Sequence, residues 1–109
     1  KSINPKIIIF IQLNHSGRLS LKPTNLSSLT KKDITSIEDK FAKAAKIAKD
    51  IGADGIDFKN CHGYLGAEFL RYVNRRTDKY GGNFENRTRF YKEIVEKIVK
   101  KLEIVVHLF

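Results

Sequence analysis

The sequence predicts a parallel α/β sheet, and three of its features support that fold class. Elements alternate along the 109 residues as strand, loop, helix, strand, loop, helix, strand, which is the order typical of parallel sheets. Long polar segments follow the strands, at 15–33 and 60–83, whereas the returns from helix to strand are short. Because loops at the carboxyl ends of strands build the sites of parallel α/β proteins, we expect the chemistry there.

The first strand is predicted over residues 6–14, where nearly every position is apolar and many are β-branched. Such a run is typical of a strand that is buried on both faces of a parallel sheet. Polar side chains appear only where it ends, at Gln12, Asn14 and His15. The strand therefore brings functional or capping groups to one end of the sheet, and a merely satisfied strand-end glutamine is the alternative for Gln12.

The first helix is predicted to stop at Gly52 and to begin at one of two caps. Thr30 with Asp33, or Ser36 with Asp39, has suitable spacing. At 100° per residue, the apolar side chains of this segment fall in one arc of roughly 120°. They are Ile37, Phe41, Ala44, Ala45, Ala48 and Ile51. The lysines lie around the rest of the circle, so we interpret them as a solvated face.

The second strand is predicted at 56–59, with apolar and charged side chains on opposite faces. After a long loop, the second helix is expected over 84–101 with one apolar stripe, which consists of Phe90, Ile94, Val95, Ile98 and Leu102. The segment 103–109 then forms a third apolar strand. The prediction thus comprises about three parallel strands and two helices.

The formal net charge of +9, from 21 Lys and Arg against 12 Asp and Glu, makes a basic nucleic-acid-binding module one alternative. No aromatic residues alternate with the basic ones as a base-stacking platform needs, so we expect no nucleic-acid partner. No run reaches the ~18 apolar residues of a membrane span, and no signal peptide is recognised. We therefore expect a cytoplasmic protein without a membrane partner.

The densest group of reactive side chains is Lys59-Asn60-Cys61-His62-Gly63-Tyr64, directly after the second strand. Lysine and histidine can donate to an anionic or carbonyl oxygen, and a tyrosine can give a proton to a neighbouring carbanion. A surface loop with a capping histidine is the alternative. Paired ligand spacing such as Cys-x-x-Cys is missing, so no metal site is expected.

Three motifs occur in order along the chain. They are Gln12-Leu13-Asn14-His15-Ser16-Gly17-Arg18, then His62-Gly63-Tyr64-Leu65 with Phe69-Leu70 after it, then Asn74-x-Arg-x-Asp-x-Tyr-Gly-Gly-x-x-x-Asn-Arg87. With them the chain closely resembles the Old Yellow Enzyme family of FMN-dependent oxidoreductases over essentially its whole length. The resemblance implies a (β/α)₈ TIM barrel with FMN at its carboxyl end. Residues 1–109 would be a single segment of that barrel and supply its third to fifth strands.

The resemblance also implies roles for individual residues. Gln12 matches the glutamine that hydrogen-bonds the flavin pyrimidine ring. His62 matches the second member of the pair that binds the substrate's carbonyl oxygen, and Tyr64 matches the proton donor to the substrate carbon. The implied activity is reduction of FMN by NAD(P)H, followed by hydride transfer to an activated alkene or related acceptor. Three charged residues are expected to tie down the long loop by charge-assisted hydrogen bonds: Arg76, Asp78 and Arg87.

Two positions depart from the family pattern. Lys59 stands where the first member of the substrate pair is commonly histidine. Because lysine is a point cation without an acceptor lone pair, a small anionic substrate, such as a carboxylate or enolate, is favoured. His107 stands where the family commonly has an arginine near the flavin, and a protonated histidine can still donate there. We therefore expect Lys59 to bind substrate and His107 to bind FMN.

Two alternatives to an ene-reductase segment stay open. One is a non-catalytic fragment unable to hold FMN alone, because three strands cannot close an eight-stranded barrel. Loops after the seventh and eighth strands of such barrels usually hold the cofactor phosphate. The other alternative is the basic nucleic-acid-binding module.

Overall fold

The computed structural model describes residues 3–103, which form two strands and three α-helices. The strands are β1, Phe10–Leu13, and β2, Gly55–Phe58, and the helices are α1, Lys31–Asp50, α2, Leu65–Leu70, and α3, Phe84–Leu102. The α/β class is confirmed. Within 3–103 there are two of the three predicted strands, and there are three α-helices rather than two. The predicted third strand beyond Glu103, with His107, lies outside the described residues.

The two strands pair in parallel, as predicted, and α1 connects them. Their register aligns Phe10 with Gly55 and Gln12 with Asp57. Parallel strands place their carboxyl ends at the same edge of a sheet. The segments that follow β1 and β2 therefore start side by side, which is the arrangement that the site requires.

Strand β1 is shorter and more exposed than the sequence predicts. At its start, the Ile9 N–H donates to Asp54 Oδ2 at 2.8 Å, so a side chain takes the place of a backbone partner. The prediction that the strand is buried on both faces is wrong for the described residues, since Ile8 is 70% and Phe10 is 66% exposed. The reason is that, within 3–103, no further strand pairs with the free side of β1.

Helix α1 begins at the first of the two predicted caps. The Thr30 hydroxyl accepts from the Asp33 N–H at 3.1 Å, and the Asp33 carboxylate accepts from the Thr30 N–H at 2.9 Å. These hydrogen bonds lower the pKa of Asp33. The helix ends at Asp50, and Gly52 follows with a φ of 92°, a left-handed conformation that favours glycine.

The buried face of α1 is rotated from the predicted arc. It consists of Ile34, Glu38, Phe41, Ala42, Ala45 and Ala48. Ile51, which the apolar pattern placed in the core, is 71% exposed. This residue is the C-cap, so the chain has already left the helical path there.

Helix α3 packs across α1 and α2 and forms the centre of the core. The Asn83 side chain caps its start by accepting from the Asn86 N–H at 2.8 Å. The predicted stripe is confirmed, with Val95 half-buried and the other four residues buried. The rings of Phe69 and Phe90 stack with 4.2 Å between their centroids. This contact fixes α2, and therefore the segment before it, against α3.

The lysines of α1 and α3 are mostly exposed, as the solvated-face interpretation predicts. Lys46 and Lys97 are half-buried, and Lys97 donates to Asp39 at 2.9 Å and to Glu38 at 3.0 Å. In the described part of the chain, none of the helices combines the length and apolarity that crossing a bilayer demands.

Candidate active site

The carboxyl ends of β1 and β2 bring the first two sequence motifs together. The Lys59 N–H donates to the Leu13 carbonyl at 3.0 Å, which continues the strand pairing one residue beyond β2. The end of β1 at Leu13 therefore lies beside the start of the segment from Lys59 to Tyr64. Two of the predicted site residues, Gln12 and Lys59, consequently share one edge of the sheet.

Gln12 is exposed and contacts Asp57 on the neighbouring strand. Its Nε2 donates to Asp57 Oδ2 at 2.8 Å. Asp57 lies on the predicted charged face of β2, and no role was predicted for it from the sequence. The signal was available, since a glutamine and an aspartate at the ends of neighbouring parallel strands can pair.

Lys59 and Tyr64 contact each other directly. The Lys59 Nζ lies 4.2 Å from the centroid of the Tyr64 ring, within the range of a cation–π interaction. This contact holds the cation beside the phenol and leaves the ammonium hydrogens available to an acceptor. The structure thus joins two residues that the sequence analysis assigned to substrate binding and proton transfer.

His62 occupies an unusual backbone conformation in the turn between these two residues. Its φ is 61°, and that of Gly63 is 75°. Left-handed backbone is uncommon outside glycine, although histidine adopts it more readily than most residues, and such strained positions cluster at functional sites. The turn leaves the His62 side chain exposed and makes Tyr64 the N-cap of α2.

Helix α2, which the sequence analysis missed, anchors this turn to the end of β1. The Leu65 N–H donates to the His15 carbonyl at 3.0 Å. The His15 Nδ1 accepts from the Gly17 N–H at 3.0 Å, and burial lowers the pKa of His15. His15 is therefore a neutral structural residue. The four-residue spacing of Leu65 and Phe69, both buried, was the available signal for α2.

A salt bridge adds a second link between the first two motifs. Arg18 Nε lies 3.2 Å from Glu68 Oε1, and the Glu68 side chain is buried on α2. Burial raises the pKa of Glu68. With the His15 contact, this pair holds the loop after β1 against the helix that carries Tyr64.

The third motif folds back on itself around Asn74, which is 1% exposed. Its Nδ2 donates to the carbonyls of Phe69 and Tyr80, both at 2.8 Å, and its Oδ1 accepts from the Arg76 N–H at 3.2 Å. A Cβ on Gly81 would lie 2.4 Å from Asn74 Oδ1, so only glycine fits there. Asn74 is thus the hub of the long loop.

The predicted charge-assisted anchors of this loop are confirmed. Arg76 donates to the carbonyls of Leu26 and Leu29, at 2.5 Å and 2.7 Å, and pairs with Asp78. The hydrogen bond from Arg76 lowers the pKa of Asp78. Arg87 donates to the carbonyl that ends α2, Leu70, at 3.2 Å and to that of Gly82 at 2.7 Å. The motif therefore has a structural role, and Arg87 contacts the carboxyl end of α2.

The donor set at the sheet edge fits one part of a flavin. The Gln12 amide, with one hydrogen used by Asp57, keeps one N–H donor and its carbonyl acceptor. A flavin pyrimidine ring presents a ring N–H between two carbonyl oxygens, which an amide can pair with. Gln12 is exposed at the strand end, so nothing on β1 or β2 covers this amide.

Residues 10–106 match the model of the NADH:flavin oxidoreductase / NADH oxidase family. The chain is 42% identical over 107 residues to an NADPH dehydrogenase of Clostridium acetobutylicum, covering 83% of this chain and 32% of the relative. It is 39% identical over 110 residues to an NADH oxidase of Thermoanaerobacter brockii, covering 83% of this chain and 17% of the relative. It is also 39% identical over 88 residues to 12-oxophytodienoate reductase 1 of Oryza sativa subsp. japonica, covering 80% and 22%.

Solved structures with TIM-barrel folds show the same local fold. Histamine dehydrogenase from Rhizobium sp. 4-9 superposes with a TM-score of 0.77 at 33% identity, covering 87% of this chain and 18% of that one. Morphinone reductase superposes with a TM-score of 0.64 at 35% identity, covering 72% and 20%. The chain thus spans about a third or less of the length of each of these relatives.

Proposed function

We propose, from the premise that this chain belongs to the NADH:flavin oxidoreductase / NADH oxidase family, that it forms part of the active site of an ene-reductase. Membership confirms the resemblance to the Old Yellow Enzyme family and the oxidoreductase class, with FMN as the family's cofactor and NAD(P)H as its reductant. We propose that this chain binds the pyrimidine edge of the flavin and the acceptor substrate.

The observation that carries the proposal is the meeting of the motif residues at one edge of the sheet. Gln12 ends β1, Lys59 is hydrogen-bonded to the adjoining Leu13, and Tyr64 lies against the Lys59 ammonium. The Gln12 amide, the Lys59 cation and the Tyr64 phenol thus belong to the same edge of the sheet, which supports the proposal. These are the groups that hydride transfer to a polarised alkene needs from the protein.

When bound, FMN would supply hydride-transfer chemistry toward the β-carbon of an activated alkene or related acceptor, with NAD(P)H as its reductant. Lys59 and His62 donate to the acceptor oxygen and stabilise the negative charge that develops on it. Tyr64 gives its phenolic proton to the α-carbon. Gln12 holds the flavin pyrimidine ring, and His107, in the place of the family arginine, is proposed as a second flavin ligand.

Lys59 favours an acceptor that already carries negative charge. A lysine ammonium is a compact cation with donors only, so it pairs best with a carboxylate or an enolate oxygen. Its contact with Tyr64 keeps that charge beside the proton donor. We therefore propose a small anionic substrate for this enzyme.

The chain takes the place of the third to fifth strands of a (β/α)₈ barrel, as one segment over residues 1–109. Exposed apolar side chains on β1 and before it, among them Ile8 and Phe10, support this placement, since a neighbouring strand and the barrel interior would cover them. The shares of 18% and 20% of the two solved relatives support it too.

The test is reoxidation of reduced flavin by an enone in the full-length enzyme that carries this chain. Tyr64→Phe removes the proton and keeps the ring on which Lys59 lies. We expect the rate to fall about 10²- to 10⁴-fold, the usual contribution of a general acid. Tyr72→Phe is the matched control, because Tyr72 is 70% exposed and contacts Arg75 and Arg87 rather than the site. An unchanged rate in Tyr64→Phe would remove this residue from the mechanism.

A further inference from the structure

Asp57 lies beside the proposed flavin ligand Gln12 on the same face of the sheet. The two residues are register partners on β1 and β2, and Gln12 Nε2 donates to Asp57 Oδ2 at 2.8 Å. Register partners of neighbouring strands project to the same side. The carboxylate thus stands one hydrogen bond behind the amide that faces the flavin.

The contact decides which way the Gln12 amide is turned. A glutamine side chain carries an oxygen acceptor and a nitrogen donor at nearly identical positions, and only its partners distinguish the two orientations. An ionised carboxylate accepts hydrogen bonds and cannot donate them. The Gln12 nitrogen must therefore face Asp57, which leaves Oε1 and the second amide hydrogen for a ligand.

The neighbouring pair in the register keeps this contact in place. Phe10 and Gly55 are paired two residues before Gln12 and Asp57, so they lie on the same face. A Cβ on Gly55 would lie 1.9 Å from Phe10 Cε1, which means that the Phe10 ring rests directly on the glycine backbone. This packing fixes the spacing of β1 and β2 beneath the polar pair.

We propose that Asp57 is a positioning residue for FMN, which acts through Gln12. Asp57 holds the Gln12 amide so that its carbonyl oxygen and its second N–H face the ligand in a fixed order. A cyclic imide, whose ring N–H lies beside a carbonyl, can pair with both of these groups. The inference rests on the proposed function. It adds a fixed negative charge near the flavin pyrimidine, and a carboxylate there opposes the electron density that the ring gains on reduction.

The experiment compares wild type with Asp57→Asn in the full-length flavoenzyme that carries this chain. An asparagine can donate as well as accept, so Gln12 loses its single orientation. We expect the FMN dissociation constant to rise about tenfold, as loss of one charge-assisted hydrogen bond predicts. We also expect the flavin midpoint potential to become more positive, because the carboxylate charge is gone. A merely structural role would not move the potential in that direction.

Two variants serve as controls. Asp54→Asn makes the same change in charge just before β2, about 10 Å from Asp57 at ~3.3 Å per residue, and its Oδ1 can still accept from Ile9. It should leave the potential unchanged. Asp57→Glu keeps the carboxylate and should stay close to wild type in potential. If Asp57→Asn does not fold, Asp57→Ser takes its place with the same expected shift.

The outcomes separate the inference from the proposed function. Unchanged FMN affinity and potential in Asp57→Asn, with flavin bound in wild type, would overturn the role of Asp57 alone. A potential in Asp57→Glu that moves as far as in Asp57→Asn would also overturn it, because the charge would not be responsible. A wild-type enzyme that binds no FMN would instead overturn the proposed function.

Discussion

His62 shows at the scale of one residue how backbone and chemistry are linked. Its φ of 61° lies in a region that costs most residues free energy, roughly 1–3 kcal/mol. Asparagine and histidine tolerate this region better than alanine does. The turn that delivers Tyr64 therefore depends on which side chain occupies position 62, quite apart from the proposed role of His62 in binding the acceptor oxygen.

Two substitutions at this position test the hydrogen-bond donor and the left-handed backbone together. His62→Asn keeps a hydrogen-bond donor and the left-handed backbone, so we expect activity within about tenfold of wild type. His62→Ala loses both, and we expect a loss of about 10²-fold or more. Steady-state kinetics with an enone measure the ratio. Equal activities in the two variants would contradict a role for the side chain in binding the acceptor.

Glu38 is a residue-scale feature that no sequence pattern indicated. It is 1% exposed, on the buried face of α1. Burial, and a hydrogen bond with the neighbouring Glu93 carboxylate, raise the pKa of Glu38 to about 8. Tyr80 donates its hydroxyl hydrogen to Glu93 Oε2 at 2.8 Å, so the same carboxylate contacts both Tyr80 and Glu38.

The proton on Glu38 makes stability depend on pH. The folded chain holds it up to about pH 8, whereas the unfolded chain releases it near 4.5. The free energy of unfolding therefore falls as pH rises from about 4.5 to about 8. Glu38→Gln should abolish this slope and stabilise the protein at pH 8 by on the order of 1–2 kcal/mol. Urea unfolding across this range tests it, with the exposed Glu96→Gln as control.

Some residue roles can be proposed from the sequence alone, whereas others depend on contacts that form only in the folded chain. Gln12, Lys59, His62 and Tyr64 were proposed from the sequence because their types and order match a motif that a known family shares. Asp57 was not, because its role depends on a contact across the sheet, between residues 45 positions apart. Glu38 was missed for a related reason, since an apolar pattern counts any carboxylate as solvent-facing.

At the scale of elements, the two long helices were predictable from the sequence, whereas the short helix α2 and the length of β1 were not. Thr30, Gly52 and the α3 stripe gave correct positions, because caps and helical periodicity are local properties of the chain. Helix α2 was missed, since six residues are too few for a clear period. The length of β1 was overestimated, because the end of a strand depends on its pairing partners. At Ile9 the Asp54 side chain accepts the hydrogen bond from the backbone N–H, in place of a backbone carbonyl.

The loop between α2 and α3 is organised around the buried side chain of Asn74. Asn74→Ala removes two buried hydrogen bonds and one part-buried one, and it leaves the carbonyls of Phe69 and Tyr80 without this donor. We expect the free energy of unfolding to fall by about 3 kcal/mol, at about 1 kcal/mol for each bond. Thermal or urea unfolding measures the loss. Thr77→Ala, at an exposed position of the same loop, should change stability by less than ~0.5 kcal/mol, and equal losses in both variants would contradict the hub role.

At the scale of the whole molecule, the described residues form a two-stranded parallel sheet, which we propose is part of a larger one. Two strands leave apolar side chains of β1 exposed, and those side chains need neighbours. The sequence predicted the parallel arrangement from the order of its elements. It could not predict the exposure, because hydropathy reports what a strand is built to bury and not whether its partners are present. For the same reason we expect the 109-residue chain alone to hold FMN poorly.

The most direct measurement is made on the full-length protein that carries this chain, purified without added flavin. We expect a yellow protein that releases about one FMN per chain on denaturation, is bleached by NADH or NADPH under anaerobic conditions, and regains its colour on addition of a carboxylate-bearing enone. A colourless protein that does not take up FMN would contradict the assignment, and so would a reduced flavin that no enone reoxidises.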